Sequence, residues 1–285
     1  MNRQKAFGMF DETIAIARNA LQDLYESKPE MIYRRKSDGS LVSIIDESVD
    51  AAVNKNLKKF GLAVVSEESE PGVGLVKGGN YITSDPVDGS EHAVEHFKQA
   101  RAKSMKSPFD ISLGRAFDYC LLLGIVLDGK PRFCGYYNYV TGEKILLDSE
   151  SARHTIWEGE NKSLYAAQYA RYTENRTNDE INTEIASDSS VRTFNVGPLG
   201  IRCLYAQLNG HESAVAVHLG LQENGLYDIL PACVAAQFTG AVILDGLGQP
   251  IKFTDYILTP NKGTVAYIGK KFSWAGEKLR NMHKK

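Results

Sequence analysis

The chain has 285 residues, enough for one large domain or for two halves that share a core. Hydrophobic residues make up 43% and charged residues 24%, which is typical of a globular protein and excludes disordered and collagen-like classes. With 33 Lys and Arg against 35 Asp and Glu, the net charge of -2 excludes the broad basic surface of a nucleic-acid-binding protein.

The beginning of the chain and its apolar runs bear on its location. Arg3, Lys5 and Asp11 interrupt the first dozen residues, so no signal peptide is predicted. The longest apolar run, residues 119–127, is too short for a membrane span, which needs about 18 residues, and predicts a strand instead. The 4 cysteines lack CxxC spacing, which favours buried thiols over a zinc or redox site. We therefore expect a cytoplasmic protein without a membrane partner.

Apolar residues in the first quarter of the chain recur at helical spacing. The stripe within residues 7–24 predicts an amphipathic helix that ends near Ser27. A second helix is predicted to follow the segment 43–46 and to stop at Gly61. A short apolar strand, residues 62–65, comes next.

Two predicted strands end in acidic residues. Residues 62–65 lead into Glu67 and Glu68, and residues 80–84 lead into the segment Asp85-Pro-Val-Asp88-Gly-Ser90. Pro86 fixes the turn of that segment and its glycine lets a ligand approach the backbone, so its two carboxylates suit a shared metal ion. The alternative is an ordinary Asp-Pro turn. An EF-hand is excluded, because a valine stands where that motif needs an acid.

The sequence after residue 90 predicts a charged helix, a hairpin and a second half that mixes strands and helices. The hairpin joins residues 120–128 to 131–139 around an Asp-Gly-Lys turn. The polar stretch 148–190 is the predicted seam between the halves. The predicted division is 1–148 and 149–285.

Taken in order, these motifs resemble the inositol monophosphatase superfamily, which also contains fructose-1,6-bisphosphatases. Glu67-Glu68-Ser69 looks like the family's Gly-Glu-Glu-Ser element, Asp85 to Ser90 like Asp-Pro-Ile-Asp-Gly-Thr, Ser43 to Asp46 like Thr-x-x-Asp, and Gly225 to Asp228 with Thr239 to Ile243 like its Trp-Asp and Glu-Ala-Gly-Gly region. The resemblance spans nearly the whole chain.

The resemblance implies an α+β fold, a layered αβαβα sandwich of the inositol monophosphatase-like type. Its first sheet would be mostly antiparallel and its second half mixed α/β. The N-terminal half would carry most metal ligands, and the C-terminal half would carry Asp228 and the substrate loops. A homodimer and sensitivity to lithium are also implied.

By the same resemblance, the acidic residues would hold two or three Mg2+ ions. One ion would be bound by Glu67, Asp85 and the Val87 carbonyl, a second by Asp85, Asp88 and Asp228, and a third, through water, by Asp46.

The implied activity is hydrolysis of a small-molecule phosphate monoester by metal-activated water. Glu67 and Ser90 would orient that water. Gly89 and Ser90 would open a helix whose backbone amides bind the phosphate. The alternative for Ser90 is a plain helix cap. The substrate could be an inositol phosphate, a sugar phosphate or bisphosphate, or a nucleotide bisphosphate.

Departures from the family concern the substrate's alcohol part. Leu221 stands where inositol-specific members carry a Glu, and a loop containing Gly197, Pro198 and Leu199 replaces a more polar one. An insertion at about 91–115 brings basic residues, among them Lys98 and Arg101, that could bind a second phosphate. The alternative is a solvated helix face.

Two other function classes remain open from the sequence. The pattern His92-x-x-Glu95-His96 resembles an inverzincin zinc metallopeptidase. A non-catalytic, regulatory relative on the phosphatase fold is the third interpretation.

Overall fold

The computed structural model describes residues 1–29, 33–35, 41–68, 79–111 and 119–150, and beyond these only short strands and single positions. Its helices are α1 (Arg3–Ser27), α2 (Ile44–Leu57) and α3 (Ser90–Ala102), with short 3-10 helices at Lys58–Phe60 and Pro108–Asp110. Its strands are β1 (Tyr33–Arg35), β2 (Leu41–Ser43), β3 (Ala63–Ser66), β4 (Tyr81–Asp88), β5 (Cys120–Leu127), β6 (Lys130–Asn138), β7 (Lys144–Asp148), β8 (Ile156–Glu158), β9 (Arg171–Thr173), β10 (Val217–Leu219), β11 (Val242–Leu244) and β12 (Ala266–Ile268).

Helix α1 confirms the amphipathic helix that the apolar stripe predicts. The Asn2 side chain accepts a hydrogen bond from the Lys5 amide at 2.9 Å, which satisfies one of the free amides at the helix start. Phe7, Phe10 and the rest of the stripe as far as Leu21 are buried in one core with α2 and the large sheet. The helix ends at Ser27 as predicted, and α2 with its 3-10 extension ends just before Gly61.

The large sheet has the strand order β3-β4-β5-β6-β7-β8. Strands β3 and β4 are parallel and every later pair is antiparallel, including the predicted β5–β6 hairpin. A four-stranded sheet in the second half has the order β11-β12-β10-β9 and is mixed, since β9 and β10 run parallel. The α+β fold class is thereby confirmed.

The two faces of the large sheet pack against different parts of the chain. Leu121, Leu123 and Ile125 belong to the core that contains α1 and α2. Side chains alternate along a strand, so Gly124 faces the opposite side, where the side chain of Leu230 packs directly on it.

Strand β4 is longer than the sequence predicts. The pattern ends the strand at Ser84, whereas the structure continues β4 to Asp88 with a register shift against β5 between Asp85 and Asp88. A bulge tolerates Pro86, which has no amide to donate to a neighbouring strand. The acidic segment is therefore an irregular strand end within the sheet, where the sequence predicts a turn.

Three further expectations can be compared with the described residues. The described cysteines Cys120, Cys134 and Cys233 are buried free thiols, as predicted. No helix in the described part of the chain is long and apolar enough to cross a membrane. Strand β8 pairs with β7 and carries the first sheet past residue 148, and the division into two halves stays a prediction.

Candidate active site

Two parallel strands bring the predicted acidic residues to one edge of the sheet. The register of β3 and β4 runs from Ala63 opposite Tyr81 to Ser66 opposite Ser84. The Glu67 amide continues the pairing by donating to the Ser84 carbonyl at 3.1 Å. Since parallel strands end at the same edge of a sheet, Glu67 and Asp85, the next residues on the two strands, lie beside each other.

The Asp85–Asp88 segment is held by its own side chains and by a neighbouring tyrosine. Asp85 is only 2% exposed, and its Oδ1 accepts a hydrogen bond from the Val87 amide at 3.1 Å. The Tyr139 hydroxyl donates to the Pro86 carbonyl at 2.8 Å. Asp88 is half-buried, with its Oδ2 4.0 Å from the sulfur of Cys120 on the adjacent strand. The Pro86–Val87 peptide is therefore held at both its carbonyl and its amide.

Helix α3 begins directly after these carboxylates. Gly89 is the cap residue, with φ of 91°, a left-handed conformation that favours glycine. No side chain caps this helix start, and the first amides to bond back, those of His92 and Ala93, both donate to the Gly89 carbonyl. Ser90 is thus the first helical residue, and the interpretation of Ser90 as a plain cap is wrong. The start of α3 can accept an anion.

Asp46 has a structural role at the start of α2. Its Oδ2 accepts the Ser43 amide at 2.7 Å, and the Ser43 hydroxyl accepts the Ile45 and Asp46 amides at 3.2 and 3.3 Å. This reciprocal capping box fixes the buried Asp46 carboxylate in place.

The charges of Asp46 and Glu91 both act on Tyr33. The β1–β2 pairing places Tyr33 opposite Ser43, and Tyr33 is 41% exposed. Its pKa is raised above the usual value, first by partial burial and then by the negative charges of Glu91 and Asp46. Through its pairing with Ser43, Tyr33 lies next to the start of α2.

The sequence reasoning missed Asp50. This buried carboxylate accepts hydrogen bonds from the Ser66 hydroxyl and from the Asn54 amide group, the latter at 2.7 Å. The Ser66 oxygen in turn accepts the Glu68 amide at 3.3 Å. Asp50 lies four residues after Asp46 on the same helix face, and this spacing is the one signal that could have indicated it. Asp50 fixes the point where β3 turns into the acidic segment.

Among the comparisons with known proteins, the one with solved structures identifies the fold. No family model and no curated protein matches the sequence. Among solved structures, a Staphylococcal inositol monophosphatase I complexed with products is 14% identical with a TM-score of 0.70, covering 99% of this chain and 98% of that chain. An inositol monophosphatase/NADP phosphatase complexed with Mg2+ and phosphate is 15% identical with a TM-score of 0.66, covering 96% and 95%. Inositol monophosphatase II from Staphylococcus aureus is 14% identical with a TM-score of 0.65, covering 98% and 95%.

The chain has the inositol monophosphatase fold. The resemblance carried by the four motifs is thereby confirmed at the level of the fold, while the subfamily stays open. On this fold, the ends of β3 and β4 and the start of α3 form the candidate active site.

The two histidines of the H-x-x-E-H pattern do not form a zinc pair on this fold. His96 is fully buried, its Nδ1 lies 3.3 Å from the Tyr119 hydroxyl, and its Nε2 lies 2.9 Å from the Ile111 carbonyl. Burial lowers the pKa of His96, so the neutral ring donates to Ile111 and accepts from Tyr119. Both ring nitrogens are engaged, which disfavours the metallopeptidase interpretation.

The insertion uses Arg101 to hold α3 against α1. The Arg101 guanidinium donates to the carbonyls of Leu24 and Tyr25, at 3.4 and 3.2 Å, and lies over the Tyr25 and Phe97 rings. A cation stabilises the C-terminus of a helix, so Arg101 has a structural role at the end of α1. Lys98 is exposed on α3.

Part of the predicted site lies outside the described residues. Asp228, Gly197, Pro198 and Leu199 are in that part of the chain. Within the ranges that the structure does describe, no three His, Cys, Asp or Glu side chains converge closely enough to hold a metal ion. A complete ligand set would therefore need Asp228 or a closer approach of Asp46, Glu67, Asp85 and Asp88.

Proposed function

We propose that the protein is a Mg2+-dependent phosphatase that hydrolyses phosphate monoesters of small molecules. The observation that carries the proposal is the parallel register of β3 and β4, which ends with Glu67 beside Asp85. Asp88 and the start of α3 follow immediately along the chain. The fold supports the proposal, because solved structures on it include a phosphatase complexed with Mg2+ and phosphate.

The donor chemistry of these residues fits Mg2+. Carboxylate and main-chain carbonyl oxygens are the hard ligands that this ion prefers. The proposed ligands are Glu67, Asp85 and the Val87 carbonyl for one ion, Asp85, Asp88 and Asp228 for a second, and Asp46 through water for a third. When bound, Mg2+ supplies the positive charge that attracts a phosphate dianion and the acidity that activates water.

The chain's own residues would then orient the reactants. The backbone amides at Gly89 and Ser90 bind the phosphate oxygens at the start of α3. Glu67 and the Ser90 hydroxyl would orient the attacking water by hydrogen bonds, and the proton that this water loses would end on the oxygen of the leaving alcohol. The leaving alcohol would face the loop of Gly197, Pro198 and Leu199.

Chelation is the direct test of the metal. Phosphate release should be measured with Mg2+ on inositol 1-phosphate, fructose 1,6-bisphosphate, adenosine 3',5'-bisphosphate and NADP. At least one substrate is expected to be hydrolysed, with turnover lost in excess EDTA and restored by excess Mg2+. Full activity in EDTA would overturn the metal mechanism, and no turnover of any substrate would favour the regulatory relative.

The exposed Lys98 makes a bisphosphate the second candidate substrate. If its ammonium binds a second phosphate, Lys98→Ala should reduce kcat/KM up to about fivefold on a bisphosphate, because an exposed charged contact contributes at most about 1 kcal/mol. The value for a monophosphate should stay within about twofold.

Arg101→Ala is the matched comparison for this prediction. Because Arg101 contacts the end of α1, its loss should lower the melting temperature and affect both substrates equally. The ratio of kcat/KM on the bisphosphate to kcat/KM on the monophosphate could also be the same in wild type and Lys98→Ala. That result would mean that Lys98 belongs to a solvated helix face and does not bind substrate.

Three further properties are proposed on the resemblance alone. These are a homodimeric assembly, inhibition by lithium and a cytoplasmic location. Size-exclusion chromatography with light scattering and an activity titration with LiCl test the first two.

A further inference from the structure

The Pro86–Val87 peptide is held by hydrogen bonds at both of its ends. Its carbonyl accepts from the Tyr139 hydroxyl at 2.8 Å, and its amide donates to Asp85 Oδ1 at 3.1 Å. The peptide unit is planar, and the proline ring fixes the φ angle before it. A rotation of this unit would break both hydrogen bonds and would move the Asp85 carboxylate and the Val87 carbonyl together.

The Tyr139 ring is itself fixed by other aromatic side chains. It is 1% exposed and stacks on Tyr119 with ring centroids 5.2 Å apart, while Tyr137 meets it edge-on at 5.5 Å. Its amide also donates to the Tyr119 carbonyl at 3.1 Å. The Tyr139 hydroxyl therefore reaches Pro86 from a rigid support.

Packing explains the ring of Tyr139 and leaves its hydroxyl unexplained. Phenylalanine would stack equally well, whereas a buried hydroxyl is unfavourable unless it is hydrogen-bonded. Burial raises the pKa of Tyr139 well above its usual value, with smaller contributions from nearby groups that include Cys120, Tyr119 and Asp85. The phenol thus stays protonated and remains a donor to the Pro86 carbonyl.

We propose that Tyr139 is a positioning residue of the candidate site: through the Pro86 carbonyl it holds Asp85 and the Val87 carbonyl in the arrangement that binds Mg2+. This inference rests on the proposed function, since it assigns a role toward the metal of that same site. Groups that orient metal ligands through hydrogen bonds commonly change metal affinity by roughly 10- to 100-fold when they are removed.

The test compares Tyr139→Phe with Tyr119→Phe. Each variant removes one buried hydroxyl, from Pro86 in the first case and from His96 in the second, and keeps the aromatic ring. Mg2+ affinity is measured from the rise of the melting temperature on titration with MgCl2, a readout that needs no turnover. Phosphate release then gives kcat and the Mg2+ concentration for half-maximal activity.

Tyr139→Phe is expected to weaken Mg2+ binding by roughly 10- to 100-fold in both measurements. Tyr119→Phe is expected to lower the metal-free melting temperature while keeping wild-type Mg2+ affinity. Wild-type affinity in Tyr139→Phe, or equal losses in the two variants, would overturn the positioning role and leave the proposed function standing. A wild-type protein whose melting temperature does not respond to Mg2+ would overturn the metal site and the role of Tyr139 with it.

Discussion

Replacing Asp88 by Asn is expected to reduce phosphatase turnover by about three orders of magnitude while the protein stays folded. The substitution keeps the size of the side chain and removes the negative charge that the proposed second Mg2+ needs. Metal ions contribute several kcal/mol of charge stabilisation in the transition state, and each 1.36 kcal/mol corresponds to about one factor of ten in rate.

The position of Asp88 in the sheet makes this variant easy to interpret. Asp88 is the last residue of β4, is half-buried, and pairs with Cys120 through the backbone. Asparagine leaves that pairing unchanged and still offers an oxygen to the Cys120 thiol. The circular dichroism spectrum and the metal-free melting temperature should therefore match the wild type, while kcat falls and the Mg2+ requirement rises.

Asp128→Asn provides the matched control for the same chemical change. Asp128 is exposed in the β5–β6 turn, at the opposite end of β5 from Cys120, and its φ of 51° is one that asparagine adopts readily. Its turnover should equal that of the wild type. Turnover above about a tenth of the wild-type rate in Asp88→Asn would contradict the assignment of Asp88 as a metal ligand.

Local patterns in the sequence were sufficient for α1, α2 and the β5–β6 hairpin. The apolar spacing within residues 7–24 predicted α1 because a buried helix face repeats with the helical period. The Asp-Gly-Lys turn between two apolar runs predicted the β5–β6 hairpin. The acidic residues at the ends of β3 and β4 were also visible in the sequence, although their adjacency depended on a parallel pairing that spacing alone does not give.

The supports of the site could not be predicted, because they join distant parts of the chain. Tyr139 and Pro86 are 53 residues apart, and Ser66 and Asp50 are 16 apart. The continuation of β4 through Pro86 depends on the register shift against β5, which the local sequence does not indicate. The H-x-x-E-H pattern suggested a zinc site for the same reason, because the hydrogen-bond partners of His96 lie outside its helix and are not visible in the local sequence.

Gly124→Ala is expected to destabilise the protein by about 2 to 3 kcal/mol, at the upper end of what overpacking of a core costs. An alanine Cβ at position 124 would lie 2.0 Å from Leu230 Cδ2 and 2.7 Å from Thr83 Oγ1, far inside van der Waals contact. Gly124 lies in the middle of β5, paired with Thr83 on β4 and Cys134 on β6, so the backbone has little freedom to move away. Urea unfolding measures the change in free energy.

Gly8→Ala is the control, because it adds the same methyl group where there is space. Gly8 is exposed within α1, and a Cβ there would meet nothing within 4 Å. Alanine should stabilise the helix at this position by roughly 0.5 to 1 kcal/mol. The two Gly→Ala changes are thus expected to have opposite signs.

A double-mutant cycle with Leu230→Ala tests whether the clash with Leu230 is the cause. Leu230→Ala alone should cost about 2 to 5 kcal/mol by leaving a cavity, and Gly124→Ala should then cost less than about 1 kcal/mol because its methyl group occupies that cavity. Additive losses would mean that the strain arises elsewhere, at Thr83 or in the backbone of β5.

Leu230 follows the proposed ligand Asp228 by two residues in the sequence, so Gly124→Ala is also expected to weaken Mg2+ binding more than its stability loss alone explains. Unchanged Mg2+ affinity in the folded Gly124→Ala protein would separate the packing of Leu230 from the metal site.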